Sequence, residues 1–319
     1  MTSAPADNAS PPRLSDIGRG IGLRVASAGC FSIMSGLFKL SASDGVVAPE
    51  MLFYRAVFGL PVVLAWVIWS QGGVAGGLKT LATRRPLAHL GRCVLGVCGI
   101  LCIFQTLTLL PLADATTLSF TAPIFATLLS WLLLKETVGP HRWAAVVVGF
   151  IGVAVVMRPG AGGHALPPLG LAFGLVAALL TAGVTITLRQ LRGTEHVAAI
   201  VFWFFVASLV VGGGLMVFVG SVHTPLAFAL LAGGGLAGGA AQLLMTASLQ
   251  KAPVSVVAPF DYLQIVGAVA FGWGLMSAPP TLSTLTGAAL IAGGGLYTAW
   301  REHVRRRRQS PVQATPPLS

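Results

Sequence analysis

Asp261 and Arg55 are the residues whose chemistry stands out, because each falls within a run of apolar residues long enough to lie in a hydrocarbon layer. An ionisable group at that depth is costly and persists where it has a partner, a wet cavity or a ligand. Asp261 follows Pro259 by two residues in KAPVSVVAPFDYLQIVGAVAFGWGLM, Lys251 to Met276. The proline frees backbone groups that can help line a cavity, and the carboxylate suits a cationic group or a coupling proton. The alternative is a structural ion pair with a distant arginine. Arg55 comes a turn beyond Glu50 and suits bidentate recognition of a substrate carboxylate. Pairing with Glu50 at the outer surface, or snorkelling to headgroups, remains open for it. Arg92 is nearer the end of its run, where snorkelling is the expectation.

Aromatic side chains are the natural partners of a planar base or a sulfonium. Tyr54, Trp203, Phe260 and Tyr262 are the candidates for a central cavity, although packing or an interfacial belt uses the same residue types. Gln105, Thr117, Ser119, Gln242 and Gln264 are polar at depth and suit either hydrogen bonding to a substrate or joining one helix to the next. Cys30, Cys93, Cys98 and Cys102 all fall in apolar runs. Cys98 and Cys102 share a helix face, but no His or carboxylate ligand stands near them, so they read as small hydrophobes and no metal or cofactor is expected. The glycine groups around 212–214, 233–235, 238–239 and 293–295 lack the Lys-Ser/Thr of a phosphate loop and read as close helix packing. The six His are near loops or run ends, and no paired aspartates or Ser–His pair appears at depth. Catalysis is therefore not expected; an intramembrane enzyme and a non-transporting scaffold are the rival readings.

The elements that carry these residues follow from composition. Hydrophobic residues make up 55% of the chain and charged residues 9%, with a mean hydropathy of +0.84, too little charge to cover a water-soluble domain. A hydrocarbon core of ~30 Å takes about 20 residues of helix, and about ten such runs are present. They are continuously apolar without strict alternation, which fits helices and not a barrel. The expected spans lie near 25–40, 49–70, 91–110, 112–134, 143–158, 169–188, 198–220, 226–249, 252–275 and 284–300. The first run could pass for a signal peptide, but its counterpart at 169–188 argues for a mature helix.

The formal net charge is +11, yet the basic residues sit at run ends and in Arg305 to Arg308. That placement fits membrane topology and anionic lipid headgroups, and argues against nucleic acid. With both termini inside, all but Lys39, Arg55 and Arg158 of the 20 Lys and Arg fall on the cytoplasmic side.

PLADATTLSFTAPIFATLLSWLLLKE, Pro111 to Glu136, is echoed by Lys251 to Met276: early hydroxyls, a mid-span Pro (Pro123, Pro259), then an aliphatic and aromatic run. The chain therefore reads as two copies of one unit. With about five spans per copy, the second must enter the membrane from the opposite side, which makes the repeats inverted, an architecture of secondary transporters. The expected organisation is a disordered cytoplasmic lead (1–20), a first repeat (21–160), a second (161–302) and a basic tail (303–319).

These stretches, with HRWAAVVVGFIGVAVVMRPG, GAALIAGGGLYTAWRE and the FYR at Phe53 to Arg55, resemble the EamA repeats of the drug/metabolite transporter superfamily. The resemblance implies an all-α integral membrane fold, ten transmembrane helices in two inverted five-helix repeats around a central cavity. It also implies secondary transport of a small organic solute across the bacterial inner membrane; a coupling proton, exchange for a counter-substrate and facilitated diffusion stay open as its energetics. RRPLAHLGR (Arg84 to Arg92), SFTAPIF (Ser119 to Phe125) and APFDYLQ (Ala258 to Gln264) resemble the S-adenosylmethionine uptake branch, with riboflavin and amino-acid transporters as close alternatives. EamA repeats usually carry Gly-Glu near the end of the fourth helix. Here the first repeat keeps Glu136, while the second has Met276-Ser277-Ala278 and no acid between Asp261 and Glu302.

Overall fold

The computed structural model describes residues 14–70, 73–83, 85–135, 137–157, 166–191, 195–252 and 254–309. The elements in chain order are α1 (Leu14–Ser43), α2 (Ala48–Ser70), α3 (Val74–Thr80), α4 (Pro86–Leu109), α5 (Leu112–Ser119), α6 (Ala122–Leu134), α7 (Pro140–Met157), α8 (Pro168–Leu191), α9 (Val197–Val219), α10 (Pro225–Lys251), α11 (Val254–Val257), α12 (Leu263–Met276) and α13 (Leu282–Gln309). A 3-10 turn, Ala258–Tyr262, joins α11 to α12. No strand occurs among the described residues. Eight helical segments there are long and apolar enough to cross a membrane, the fourth running through α5 and α6.

Proline opens α4, α7, α8 and α10, at the position where its missing N–H is unsatisfied in any helix. Thr224 caps α10 by accepting the Ala227 N–H at 3.1 Å. Three boundaries differ from the sequence reading. Helix α1 begins at Leu14, so its first turns run back into the stretch read as the lead, and Arg24 lies ten residues inside the helix. The gap from Gln71 to Gly91 holds the short α3 and the first turn of α4. The stretches read as single spans at 112–134 and 252–275 are both interrupted, one at Phe120–Thr121 before Pro123, the other across Ala258–Tyr262 around Pro259. In each case the proline removes a backbone donor.

Each half resumes as a helix after its interruption and stops at a residue in left-handed conformation, Lys135 (φ 52°) in the first and Ser277 (φ 50°) in the second. Glu136 and Arg158, both singled out above, lie outside the described residues.

The main packing is between halves. Helix α1 packs on α10 and α8 on α4; α2 packs on both α9 and α10, and α9 on α4; α1 also meets α12, and α8 meets α6; α7 packs on α13. Exchanging each helix for its counterpart in the other half (α1 for α8, α2 for α9, α4 for α10, α6 for α12, α7 for α13) returns the same set of pairs. Glycine lets the last pair close: a methyl on Gly287 would come within 2.7 Å of the Gly152 carbonyl oxygen, and one on Gly152 within 3.0 Å of the Gly287 oxygen. Between α1 and α4, Phe38 and Phe104, both wholly buried, meet edge to face at 5.0 Å.

Candidate functional site

Helices α2, α4 and α9 bring three side chains to one place in the interior. Arg55 of α2 is 2% exposed, Arg92 of α4 6% and Phe204 of α9 6%. The Arg55 Cζ lies 5.4 Å from the Phe204 ring centroid and 4.7 Å from that of Phe205, while the Arg92 Cζ lies 4.2 Å from Phe204. Two guanidinium groups therefore share one ring. On each arginine, Nε and Nη1 are buried without a hydrogen-bond partner. Gly96 makes room for this arrangement, since a methyl there would come 2.5 Å from Arg92 Nη1 and 2.9 Å from the Phe204 ring. One turn before Arg92, His89 Nε2 stands 3.3 Å from Glu195 at the entrance to α9. The expectation that Arg92 snorkels is overturned, because its guanidinium turns inward onto an aromatic face. Snorkelling is likewise excluded for Arg55.

Pairing of Arg55 with Glu50 is not what the fold uses. The Glu50 carboxylate, fully buried, accepts from the Val47 N–H (2.9 Å), the Ser221 N–H (2.9 Å) and the Ser221 hydroxyl (3.0 Å), and meets His223 Nε2 at 2.9 Å. It ties the α9–α10 turn to the start of α2. Tyr54 belongs to the same end, in edge contact with His223 and Phe228 and stacked on Phe58.

Asp261 takes up the structural alternative: it is ion-paired with Arg24 of α1, whose Nε and Nη1 remain without partners. Side-chain exposures are 9% for Arg24 and 26% for Asp261. Arg24 is thus a packed residue of the interface between halves. Around it Ser27 donates to the Ala241 carbonyl (2.8 Å) and Ser248 to that of Gly20 (2.7 Å), both joining α1 to α10. Tyr262, beside Asp261, lies against Phe120 with centroids 4.9 Å apart. The two interrupted spans therefore touch at their breaks.

The remaining predicted residues divide. Thr117, wholly buried, and Ser119 donate to carbonyls of their own helix, Ala113 at 2.8 Å and Ala115 at 3.1 Å. Trp203 donates its indole N–H to the Leu81 carbonyl at 2.9 Å, pinning the segment after α3. Gln242 is buried, whereas Gln105, Phe260 and Gln264 are half-buried. Asp114, overlooked in the sequence, is 2% exposed and accepts the Thr284 hydroxyl of α13 at 2.6 Å. A cavity of about 500 Å³ opens at the α6–α7 turn, lined by Trp131, Leu132, Lys135, Thr137, Val138 and Trp143. It contains none of the predicted residues.

Residues 18–158 and 168–300 each match the EamA-like transporter family. A riboflavin transporter of Rhizobium johnstonii is 33% identical over 237 residues, 73% of this chain and 76% of its own length. The pseudopaline exporter CntI of Pseudomonas aeruginosa is 29% identical over 85% of this chain and 93% of its own. A Rickettsia conorii S-adenosylmethionine uptake transporter is 29% identical over 83% and 87%, respectively. A solved crystal structure, 18% identical, superposes with a TM-score of 0.63 over 92% of this chain and 99% of that one, and so shares the fold. With two consecutive matches spanning nearly all of the described helices, the chain belongs to the EamA-like transporter family.

Proposed function

We propose that this protein is a secondary carrier of a small organic metabolite in the bacterial inner membrane, with S-adenosylmethionine or a similar nucleoside or amino-acid derivative as its substrate. The observation that carries this reading is the pair of interrupted spans, α5–α6 and α11–α12, at corresponding places in the two halves and in contact through Phe120 and Tyr262. Proline-broken segments at matching positions are where carriers built from repeats hold their substrates. The ten-span count takes the eight apolar segments together with α11–α12 and α13. Five spans per half make the repeats inverted, and the exchange of helix pairs between halves supports that relation. Both termini then face the cytoplasm.

Alternating access follows from the two polar closures. The Glu50 cluster joins α2 to the α9–α10 turn at one end, and Arg24–Asp261 joins α1 to the broken span toward the other. A substrate drives the exchange only by binding one state more tightly than the other. Transport needs no covalent step, so no catalytic residue is assigned.

Counterflow of labelled S-adenosylmethionine into proteoliposomes tests the assignment, with S-adenosylhomocysteine, riboflavin and tryptophan as competitors. Saturable exchange blocked by S-adenosylhomocysteine is expected. Riboflavin is the second reading, favoured by the 33% identity to a riboflavin transporter; exchange of riboflavin alone would replace the first reading with it. Absence of exchange for every solute would remove the carrier assignment.

A further inference from the structure

We infer that Arg55 and Arg92, facing the Phe204 ring, form the binding site for a carboxylate group of the transported solute. The inference rests on the carrier reading and narrows its substrate class. Removing a guanidinium from water is expensive unless an anion and hydrogen-bond acceptors replace the water. Here two are removed within reach of one ring, and each keeps buried N–H groups with no partner. The ring face compensates in part.

No protein carboxylate completes the site among the described residues. Glu50 is engaged by Ser221 and His223, Asp261 by Arg24, Asp114 by Thr284, and Glu195 stands beside His89. These unmatched donors suit an oxyanion. A carboxylate, whose oxygens accept charge-assisted hydrogen bonds from guanidinium N–H groups, suits donors of this kind. Arg55 and Arg92 come from the first half and Phe204 from the second, so an anion held there bears on the contact that must change during transport. S-adenosylmethionine carries such a group on its amino-acid end, and riboflavin carries none.

The test measures binding and counterflow on the full-length protein with S-adenosylmethionine, its decarboxylated analogue, glutamate, succinate and riboflavin. Wild type is expected to bind at least one of the carboxylates, to favour S-adenosylmethionine over the decarboxylated analogue if that is the substrate, and to move what it binds. Arg55→Gln and Arg92→Gln are each expected to weaken carboxylate binding about tenfold or more. Because each removes a buried charge that the ring offsets only in part, neither should lower the melting temperature of the ligand-free protein. A structural arginine would lower it.

Wild type that moves riboflavin, or moves the decarboxylated analogue as well as S-adenosylmethionine, overturns the carboxylate site and leaves the carrier standing. Wild type that moves none of the solutes removes both. Should the glutamine variants fail to fold, both arginines are structural and the site is overturned.

Discussion

Arg24 and Asp261 form an ion pair across 237 positions of sequence, linking the first helix of one half to the broken span of the other. Arg24 is almost wholly buried and Asp261 mostly so, so neither charge is well served by solvent if the other is lost.

Asp261→Asn is therefore expected to destabilise the protein by about 1–3 kcal/mol, since it leaves a buried guanidinium without its anion. Arg24→Met combined with Asp261→Leu should recover most of that loss, because no unpaired charge remains. Thermal unfolding in detergent of the single and double variants measures both.

Lys135 and Ser277 each end a helix in the left-handed region, where a side chain costs about 1 kcal/mol or more relative to glycine. Lys135→Gly and Ser277→Gly should each raise stability by about 0.5–1 kcal/mol. Unchanged or lower melting temperatures would mean that side-chain contacts at these turns offset the strain.

Glu50→Gln keeps the shape but removes the charge that Ser221 and His223 surround. Hydrogen bonds to a charged group contribute about 1.5–3 kcal/mol, so the α9–α10 turn should open more readily. Hydrogen exchange at the Ser221 amide should quicken while that of α7 stays as in wild type.

Gly295 lies directly beneath the Tyr262 hydroxyl, and a methyl there would overlap it. Gly295→Ala is expected to push the Tyr262 ring off Phe120 and to cost about 1–3 kcal/mol through overpacking. Adding Tyr262→Phe removes the overlapping oxygen and should restore part of the loss, as read by the melting temperatures of the two variants.

The spans at 112–134 and 252–275 read as unbroken despite Pro123 and Pro259, since a proline can kink a helix as well as break it, but the helices themselves were legible because burial in hydrocarbon writes itself into the sequence as apolar runs of the right length. Short α3 was not, since its segment VAGGLKT offers neither length nor a periodic apolar face. Arg24 drew no attention in the sequence, because a basic residue at the edge of an apolar run looks the same whether it anchors the end or lies one helix turn deeper against a neighbour. Asp114 passed for an ordinary residue at a helix start. Thr117 read as a hydroxyl for a substrate or a neighbouring helix and Trp203 as an aromatic of the cavity or the packing, but a hydroxyl in a helix can bond its own backbone, and an indole N–H reaches whatever carbonyl the fold puts before it.

Composition and run length by themselves determined that this chain is a helical membrane protein, and the echo of one half in the other determined its two-part build, because both are local properties of the chain. Only the tertiary structure decided which charges meet. Arg55, Arg92 and Phe204 stand on helices far apart in sequence, as do Arg24 and Asp261, and whether a buried charge finds an acid, a ring or neither depends on which helix faces pack together. That choice is made by the fit of small residues and side chains across the two halves.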